Sequence, residues 1–461
     1  MSKKPNILYI FPDQFNHKCL GCMNEFPVRT PNLDAFRSDS LSVDNAMSNY
    51  PVCSPYRGML MAGKYPEKTG VTGNCNSSRN AYGVFLKTEE RCISDIFHEQ
   101  GYHVGYIGKW HLDPPEMSTQ VYTDELRNGI LWDSFTTKER RHQVDYWLSY
   151  GAMDHHLEPH YWGNDTPMEN SIKPHKWSVE FETDKAIEYL ENRNGERDEE
   201  KPFMLFLAWN PPHPPYDEVP ERYRERFRDI PAEDLLKSPN YSKVNPRELE
   251  DQVDRKGGEA ALDAIKDYLA AIEGIDENFG RLMQKMKDLG LYDDTIIVFT
   301  SDHGDMMGSH NRMGKPSWFS EAFKVPFMIR YPERIRPGQS SCLMNVPDIM
   351  PTLLDLCDLQ EAIPDDIDGW SKLSSLAGEA DDDETSLYFE YFTNTRGLKT
   401  RQYTFAAQKN WCGEIVRTYL YDDVNDPYQL KEISGERPEV CRALLERLNS
   451  ELRRIKETRW F

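Results

Sequence analysis

N-I-L-Y-I-F-P-D-Q, residues 6–14, is an apolar run of strand length that stops at Pro12 and leaves Asp13 and Gln14 just beyond its end. Such unbroken apolar character is what a parallel strand covered on both faces requires. Three further runs share the design. Residues 102–107 close with Gly108-Lys109-Trp110-His111, residues 203–208 run into Trp209-Asn210-Pro211-Pro212-His213, and residues 295–300 close with Ser301-Asp302-His303-Gly304. Between them lie helical stretches: 93–100, ended by Gly101; 183–190; and Leu262, Ile265, Leu269, Ile272, Phe279, Leu282 and Met286, ended by Gly290. Helices alternating with buried strands predict an α/β fold with a large, mostly parallel sheet flanked by helices. In such sheets ligands bind beyond the carboxyl ends of the strands. Asp13, Lys109, His111, His213, Asp302 and His303 are therefore expected on one rim.

The bulk properties narrow the function. The chain has 461 residues, enough for one large domain and a smaller one, and Asp and Glu outnumber Lys and Arg by 77 to 55 for a net charge of −22. That balance excludes nucleic acid and an anionic membrane as partners of the surface as a whole. A pocket for an anion must gather positive charge locally. The start, M-S-K-K-P-N-I-L-Y-I-F, has no long apolar segment, so the chain as given is expected to be cytoplasmic, or periplasmic or secreted if a leader was removed. Nine scattered cysteines give no disulfide framework, and the lone Cys19-x-x-Cys22 reads as a pair of loop thiols.

Residues 112–177 are rich in Tyr, Trp, His, Asn and Pro with little periodicity, and read as a long insertion with short elements rather than a domain. Past residue 380 the character changes. Residues 387–392, 397–406 and 416–421 read as short strands, and Val440, Leu444, Leu445, Leu448, Leu452 and Ile455 mark an amphipathic helix. The expected division is a catalytic domain over 1–380 and a small antiparallel-sheet-plus-helix subdomain over 381–461.

The chemistry gathers around P-V-C-S-P-Y-R-G-M-L-M-A-G, residues 51–63. Ser54 is a helix cap and Pro55 suits a first turn, which places Cys53 just ahead of a helix N-terminus, where negative charge is favoured. Arg57, one turn on, can face the same spot. Asp13 and Asp302 offer hard oxygen ligands to a divalent cation and His303 a nitrogen. Lys109 and His111, two apart on an extended segment, share a face. Prolines on both sides hold His213 on an extended, low-entropy segment.

C-x-P-x-R at Cys53, Pro55 and Arg57 resembles the signature of the type I sulfatases, members of the alkaline phosphatase-like superfamily. G-K-W-H-L at 108–112, S-D-H-G at 301–304 with Lys315 following, and T-Y-L-Y-D-D-V-N-D-P-Y-Q-L at 418–430 resemble further pieces of that family. The resemblance implies an alkaline phosphatase-like fold and a sulfuric ester hydrolase. It implies that a maturation enzyme oxidises Cys53 to formylglycine, whose hydrate is the nucleophile. It also implies one divalent metal on Asp13, Gln14, Asp302 and His303: calcium first, magnesium or manganese as alternatives. Arg57, Lys109 and Lys315 then neutralise the transferring group, His213 protonates the leaving alcohol, and His111 takes the second hydroxyl's proton.

Two other readings stand beside this one: a phosphonate monoester or phosphodiester hydrolase of the same superfamily, and a non-catalytic sulfate-ester binder. For the substrate, Trp132, Trp147, Trp162 and Trp177 in the insertion favour a carbohydrate sulfate, with a small aryl or alkyl sulfate as the alternative. The insertion is expected to wall the pocket, with His142, His155, His156, His160 and Trp162 as candidate substrate contacts.

Overall fold

The computed structural model describes residues 4–115, 126–127, 130–131, 133–241, 258–379 and 385–461. In chain order the main-sheet strands are β1 (Asn6–Ile10), β2 (Leu41–Met47), β3 (His103–Lys109), β4 (Tyr146–Tyr150), β5 (Trp162–Gly163), β6 (Phe203–Ala208), β7 (Thr295–Phe299), β8 (Met328–Arg330) and β9 (Gly338–Asn345). They run β9-β2-β8-β7-β1-β6-β3-β4-β5 across the sheet. β1 pairs in parallel with β6 and β7, and β3 in parallel with β6 and β4. Only β8 and β5 run against their neighbours. Every residue of β1, β3, β6 and β7 is buried, which is why these four runs lack polar alternation.

Strand alternation sorts the side chains into two cores. Ile7, Tyr9, Val104, Tyr106, Met204, Phe206, Ile296 and Val298 face one side, with α2 (Cys53–Ala62), α3 (Ile93–Glu99) and α6 (Ile349–Leu356). Leu8, Ile10, Ile107, Leu205, Leu207, Ile297 and Phe299 face the other, with α1 (Pro31–Ser38), α4 (Ser178–Leu190) and the long α5 (Gly258–Asp288).

After the main sheet comes an antiparallel meander, β10 (Ser386–Glu390), β11 (Thr395–Lys399), β12 (Tyr403–Lys409) and β13 (Ile415–Asp422), backed by α7 (Pro438–Arg454). Phe389, Leu398, Phe405, Leu420 and Leu448 belong to the same continuous core as Tyr9 and Phe206. Asn49 ties the two sheets polar group by polar group: its Nδ2 donates to the Leu387 carbonyl at 2.7 Å, and its own carbonyl accepts from Phe389 N at 2.8 Å.

The sheet is wider than the four strands legible in sequence. β2, β8 and β9 extend one side, and β9 is exposed along its first half, which breaks the apolar run. On the other side, one of the insertion's short elements, Tyr146–Tyr150, Y-W-L-S-Y, joins the sheet as a fully buried parallel strand. Residues 397–406 are two strands joined by a hairpin at 400–402, where Thr400 N donates to the Tyr403 carbonyl at 2.8 Å. Trp132 lies outside the described residues. Among the described residues, no helix is long and apolar enough to cross a membrane.

Candidate active site

The signature helix starts two residues earlier than its capping pattern predicts. Cys53 is its first residue and Val52 the N-cap, and Gly63, at φ 66°, closes it in a left-handed turn. Ser54, freed from capping, donates Oγ–H to the His111 carbonyl at 2.7 Å. Arg57 Nη1 donates to the Lys109 carbonyl. One turn of α2 thus grips the segment that leaves β3. That segment bends sharply: Gly108 has φ 102° and a Cβ there would meet the Ala208 carbonyl oxygen at 2.3 Å, so only glycine fits. His111 follows at φ 54°, a conformation costly for a residue with a Cβ. The two contacts from α2 hold it there.

The rim expected from the strand ends is assembled. Cys53 Sγ lies 3.5 Å from Asp13 Oδ1, 3.5 Å from His303 Nε2, 3.1 Å from Lys315 Nζ and 3.9 Å from Lys109 Nζ. The His111 ring faces the same sulfur. Burial and the Asp13 charge push the Cys53 thiol up, but Lys109 and Lys315 outweigh them and hold it well below its ordinary value.

Asp13, Asp302 and His303 are all 0% exposed, and their ligand atoms and Cys53 Sγ lie within 4.8 Å of one another. His303 Nε2 is 3.5 Å from one oxygen of each carboxylate. Burial, then the neighbouring Asp13 charge, pushes Asp302 up to about 6. Two buried carboxylates on one spot repel each other, and a divalent cation relieves that repulsion. The donor set therefore fits a metal. Gln14, at φ 73°, turns its Oε1 to Lys315 Nζ at 2.6 Å and donates Nε2–H to Tyr216 at 3.0 Å and to Asp305. Gly304 permits the approach of the next segment, since a Cβ there would meet the Glu321 carbonyl oxygen at 1.9 Å.

The cations divide into two kinds. Lys109 Nζ is held between Asp13 Oδ2 at 2.7 Å and Asn210 Oδ1 at 3.0 Å. Arg57 is 1% exposed, and its Nη2 reaches Asp13 at 3.3 Å and Asp302 at 3.4 Å. Its guanidinium thus braces both carboxylates. Lys315 contacts sulfur, Gln14 and Asp13, the last at 3.7 Å. His213 sits at the edge. Its Nδ1 donates to the Pro214 carbonyl at 2.7 Å and lies 3.6 Å from Asp154, which leaves Nε2 outward.

The substrate contacts expected in the insertion fare differently. Trp162 is 1% exposed, its indole N–H donates to the Met168 carbonyl at 2.9 Å, and it packs on Phe135 and His160. Trp147 and Trp177 are buried as well. His160 Nε2 sits 2.5 Å from buried Asp133, and His142 Nδ1 sits 3.4 Å from Asp95 beneath Trp110. These side chains are core, because aromatic residues without periodicity still have to cover β4 and β5. His156 Nε2 donates to the His213 carbonyl at 2.8 Å, and burial, then the His213 charge, holds it down at about 4. It shapes the His213 loop. His155 is half exposed and faces Glu218 at 3.5 Å.

Sequence reasoning missed Asn210, Tyr216 and Asp305. Asn210 stands just beyond β6, where a polar residue after an apolar strand is the same signal that marks Asp13. The insertion meets the rim at Asp154, 3.6 Å from His213, and at Met153, whose carbonyl accepts from Asn210 Nδ2 at 2.7 Å. An open cleft of about 530 Å³ borders Val52, Asn74 and Pro316, neighbours of the catalytic segments. Its described lining comes from the 73–79 loop, residues 312–318 and the C-terminal sheet, and none of it from 112–177.

The sulfatase family matches residues 5–359, and the C-terminal region of N-sulphoglucosamine sulphohydrolase matches 308–458. An endo-4-O-sulfatase of Bacteroides thetaiotaomicron is 35% identical, aligned over 100% of this chain and 94% of its own length. A Bacteroides thetaiotaomicron structure solved in work on the metabolism of multiple glycosaminoglycans is 33% identical, with a TM-score of 0.88 over 99% of this chain and 98% of its own. A phosphonate monoester hydrolase of Agrobacterium radiobacter is similar in fold alone, at 21% identity and a TM-score of 0.69 over 98% of this chain and 96% of its own. Formylglycine and a metal ion are general to the first of these families, and the rim built around Cys53 has the residues for both. The chain belongs to the sulfatase family and is a sulfuric ester hydrolase.

Proposed function

We propose that the protein removes sulfate from a sulfated saccharide, with Cys53 matured to formylglycine by a separate enzyme and one divalent cation, calcium first, held by Asp13, Gln14, Asp302 and His303. The observation that carries this reading is the convergence on Cys53 Sγ of Asp13 and His303 at 3.5 Å and Lys315 at 3.1 Å. The saccharide is supported by the glycan-active relatives and by the open, aromatic-walled cleft beside the thiol.

Formylglycine at residue 53 would supply an oxygen nucleophile, and a divalent cation held by Asp13, Gln14, Asp302 and His303 would supply Lewis-acid charge for the sulfuryl group. The chain's own groups do the rest. Lys109, fixed between Asp13 and Asn210, keeps a positive charge beside residue 53 through the reaction. Lys315 faces the same atom from the opposite segment. Arg57 holds both carboxylates in place from below, which makes it a positioning residue. His213 carries a proton at Nε2 for the departing alcohol oxygen, its ring aimed by the bond to Pro214 and by the His156 contact behind it. His111, on the other side of residue 53, accepts a proton from it.

The test is turnover with maturation verified. Peptide mass spectrometry across residues 52–64 is expected to show formylglycine in active protein, and such protein is expected to hydrolyse sulfated saccharides. Full activity with an unmodified thiol would refute the Cys53 assignment. Faster hydrolysis of a phenyl phosphonate ester than of the matching sulfate would favour the phosphonate reading. Matured protein that binds but hydrolyses neither would favour the binder.

A further inference from the structure

The cleft beside the thiol holds two arginines in a protein of net charge −22, and neither is paired with a carboxylate among the described residues. Arg79 spends one N–H on the Thr72 carbonyl at 3.2 Å. Arg312 is exposed and leans over the Phe319 ring at 5.7 Å. The one carboxylate among the cleft's described lining residues, Glu390, accepts from Phe392 N at 2.7 Å and Thr393 N at 2.8 Å and so builds the turn between β10 and β11; Arg396 and Arg79 act on it only through space. Several other arginines of the protein are spent on acids: Arg57 on two aspartates, Arg224 on Asp267, Arg330 on Asp39 and Asp293, Arg396 on Glu457. Unpaired guanidiniums facing one open volume are a site for an oxyanion.

The apolar part of the cleft fits the same ligand. Trp318 and Tyr419 pack together, ring centroids 4.4 Å apart, and both remain partly open. Phe392 stands at the mouth, 77% exposed, with no structural duty that requires it there. An exposed aromatic beside paired rings gives flat faces for sugar rings.

We propose that this cleft binds the sugar residue next to the scissile sulfate, and that this residue carries a second oxyanion, a carboxylate or a sulfate, recognised by Arg79 and Arg312 with Trp318, Tyr419 and Phe392 as the stacking surface. This deepens the saccharide reading and rests on it. The second anion is what separates it from a neutral sugar sulfate. Carboxylate and sulfate share the chemistry that a guanidinium reads, so the substrate series distinguishes them.

The experiment compares disaccharides that carry one scissile sulfate and differ in the neighbouring sugar: a uronate, a second sulfate, or a neutral hexose. A small aryl sulfate is the control for the catalytic centre. In matured wild-type protein, kcat/KM is expected to be about 10- to 100-fold higher for one of the two anionic disaccharides than for the neutral one, the size of a charge-assisted contact. Arg312→Gln and Arg79→Gln are expected to erase that preference while leaving the aryl sulfate within about twofold. Arg312→Lys should restore part of it.

Equal turnover of all three disaccharides, or equal losses on the aryl sulfate, would overturn the proposal. Titration calorimetry of the preferred disaccharide with Cys53→Ser protein, with and without Arg312→Gln, separates the two levels of the reading. At least tenfold weaker binding in the double variant supports the cleft. Unchanged binding refutes it even if the protein is a saccharide sulfatase. If the wild type turns over the aryl sulfate and no saccharide, the saccharide reading itself is wrong and the cleft proposal falls with it.

Discussion

Around Cys53 each described charge already has a partner in the protein. Asp13 alone meets Lys109, Arg57, Lys315 and His303. A few residues away, in the cleft under the C-terminal sheet, Arg79 and Arg312 are open and Phe392 is bare. The first region is buried and mutually braced, so its groups are fixed before a substrate arrives. That is what electrostatic preorganisation requires, since the dipoles need not reorganise during the reaction. The second region is solvated and unbraced, so its groups gain partners only from a ligand. The contrast separates the chemistry from the choice of substrate. Changes at the rim should harm every sulfate ester alike, and changes in the cleft should reorder substrates.

The largest effect is expected at the rim. Asp302→Ala should lower turnover of all sulfate esters by about 10³-fold or more and strip the divalent metal. It leaves His303 and Arg57 facing a lost carboxylate, so the variant's fold must be checked by circular dichroism. Elemental analysis decides the ligand assignment: full metal occupancy in folded Asp302→Ala would show that the cation sits elsewhere. A loss confined to saccharides would erase the contrast between the two regions.

His213 stands between them, on the rim yet partly open, and sharpens the comparison. His213→Ala should slow esters of poorly acidic alcohols by about 10²- to 10⁴-fold, the usual size of general acid catalysis. Esters of acidic phenols, which leave unprotonated, should lose about tenfold or less. A uniform loss across leaving groups would show that His213 only shapes the pocket.

In the cleft the effects are smaller. Phe392→Ala should reduce kcat/KM on saccharide sulfates by roughly 3- to 10-fold, as one stacked aromatic ring would give, and leave a small aryl sulfate unchanged. Its 77% exposure makes a folding defect unnecessary as an explanation. No change on any saccharide would remove the mouth of the cleft from the binding surface.

The two regions also differ in how they can be read from sequence. Much of the rim was legible because several of its groups sit two or three residues past an apolar strand: Asp13 after β1, His111 after β3, Asp302 after β7. A parallel sheet brings those ends together without any knowledge of the loops. The cleft was illegible for the opposite reason. Arg79, Arg312 and Tyr419 come from three segments with no strand end in common, joined only when the C-terminal meander docks through Asn49. β2, β8 and β9 escaped because one is partly polar, one is three residues long and one is half exposed, so none shows the unbroken apolar run. The insertion misled in the other direction. Tyr and Trp there signalled sugar contacts, yet they cover β4 and β5, since a fully buried strand leaves no alternation to reveal it.

The smallest effect tests the buried side of the comparison through stability alone. Glu182 on α4 is 0% exposed beneath Gly108, where Tyr161 donates O–H to its Oε1 at 2.7 Å. Tyr150 and Tyr106 also face it, and Arg57 acts on it through space. Burial outweighs both the Tyr161 bond and Arg57 and pushes its carboxyl up to about 8. The folded-state value lies above the unfolded value of about 4.3. Across that window the folded chain keeps a proton that the unfolded chain has released, so stability falls as pH rises from about 4.3 towards 8. Glu182→Gln is neutral at every pH and keeps the hydrogen bond from Tyr161. Thermal unfolding at pH 5 and pH 8 should therefore show the variant little changed at the lower pH and more stable than wild type at the higher, by roughly 2 °C or more. An equal shift at both pH values would mean that Glu182 is ionised and compensated, and the segment under Lys109 would then be a second braced charge network rather than a neutral one.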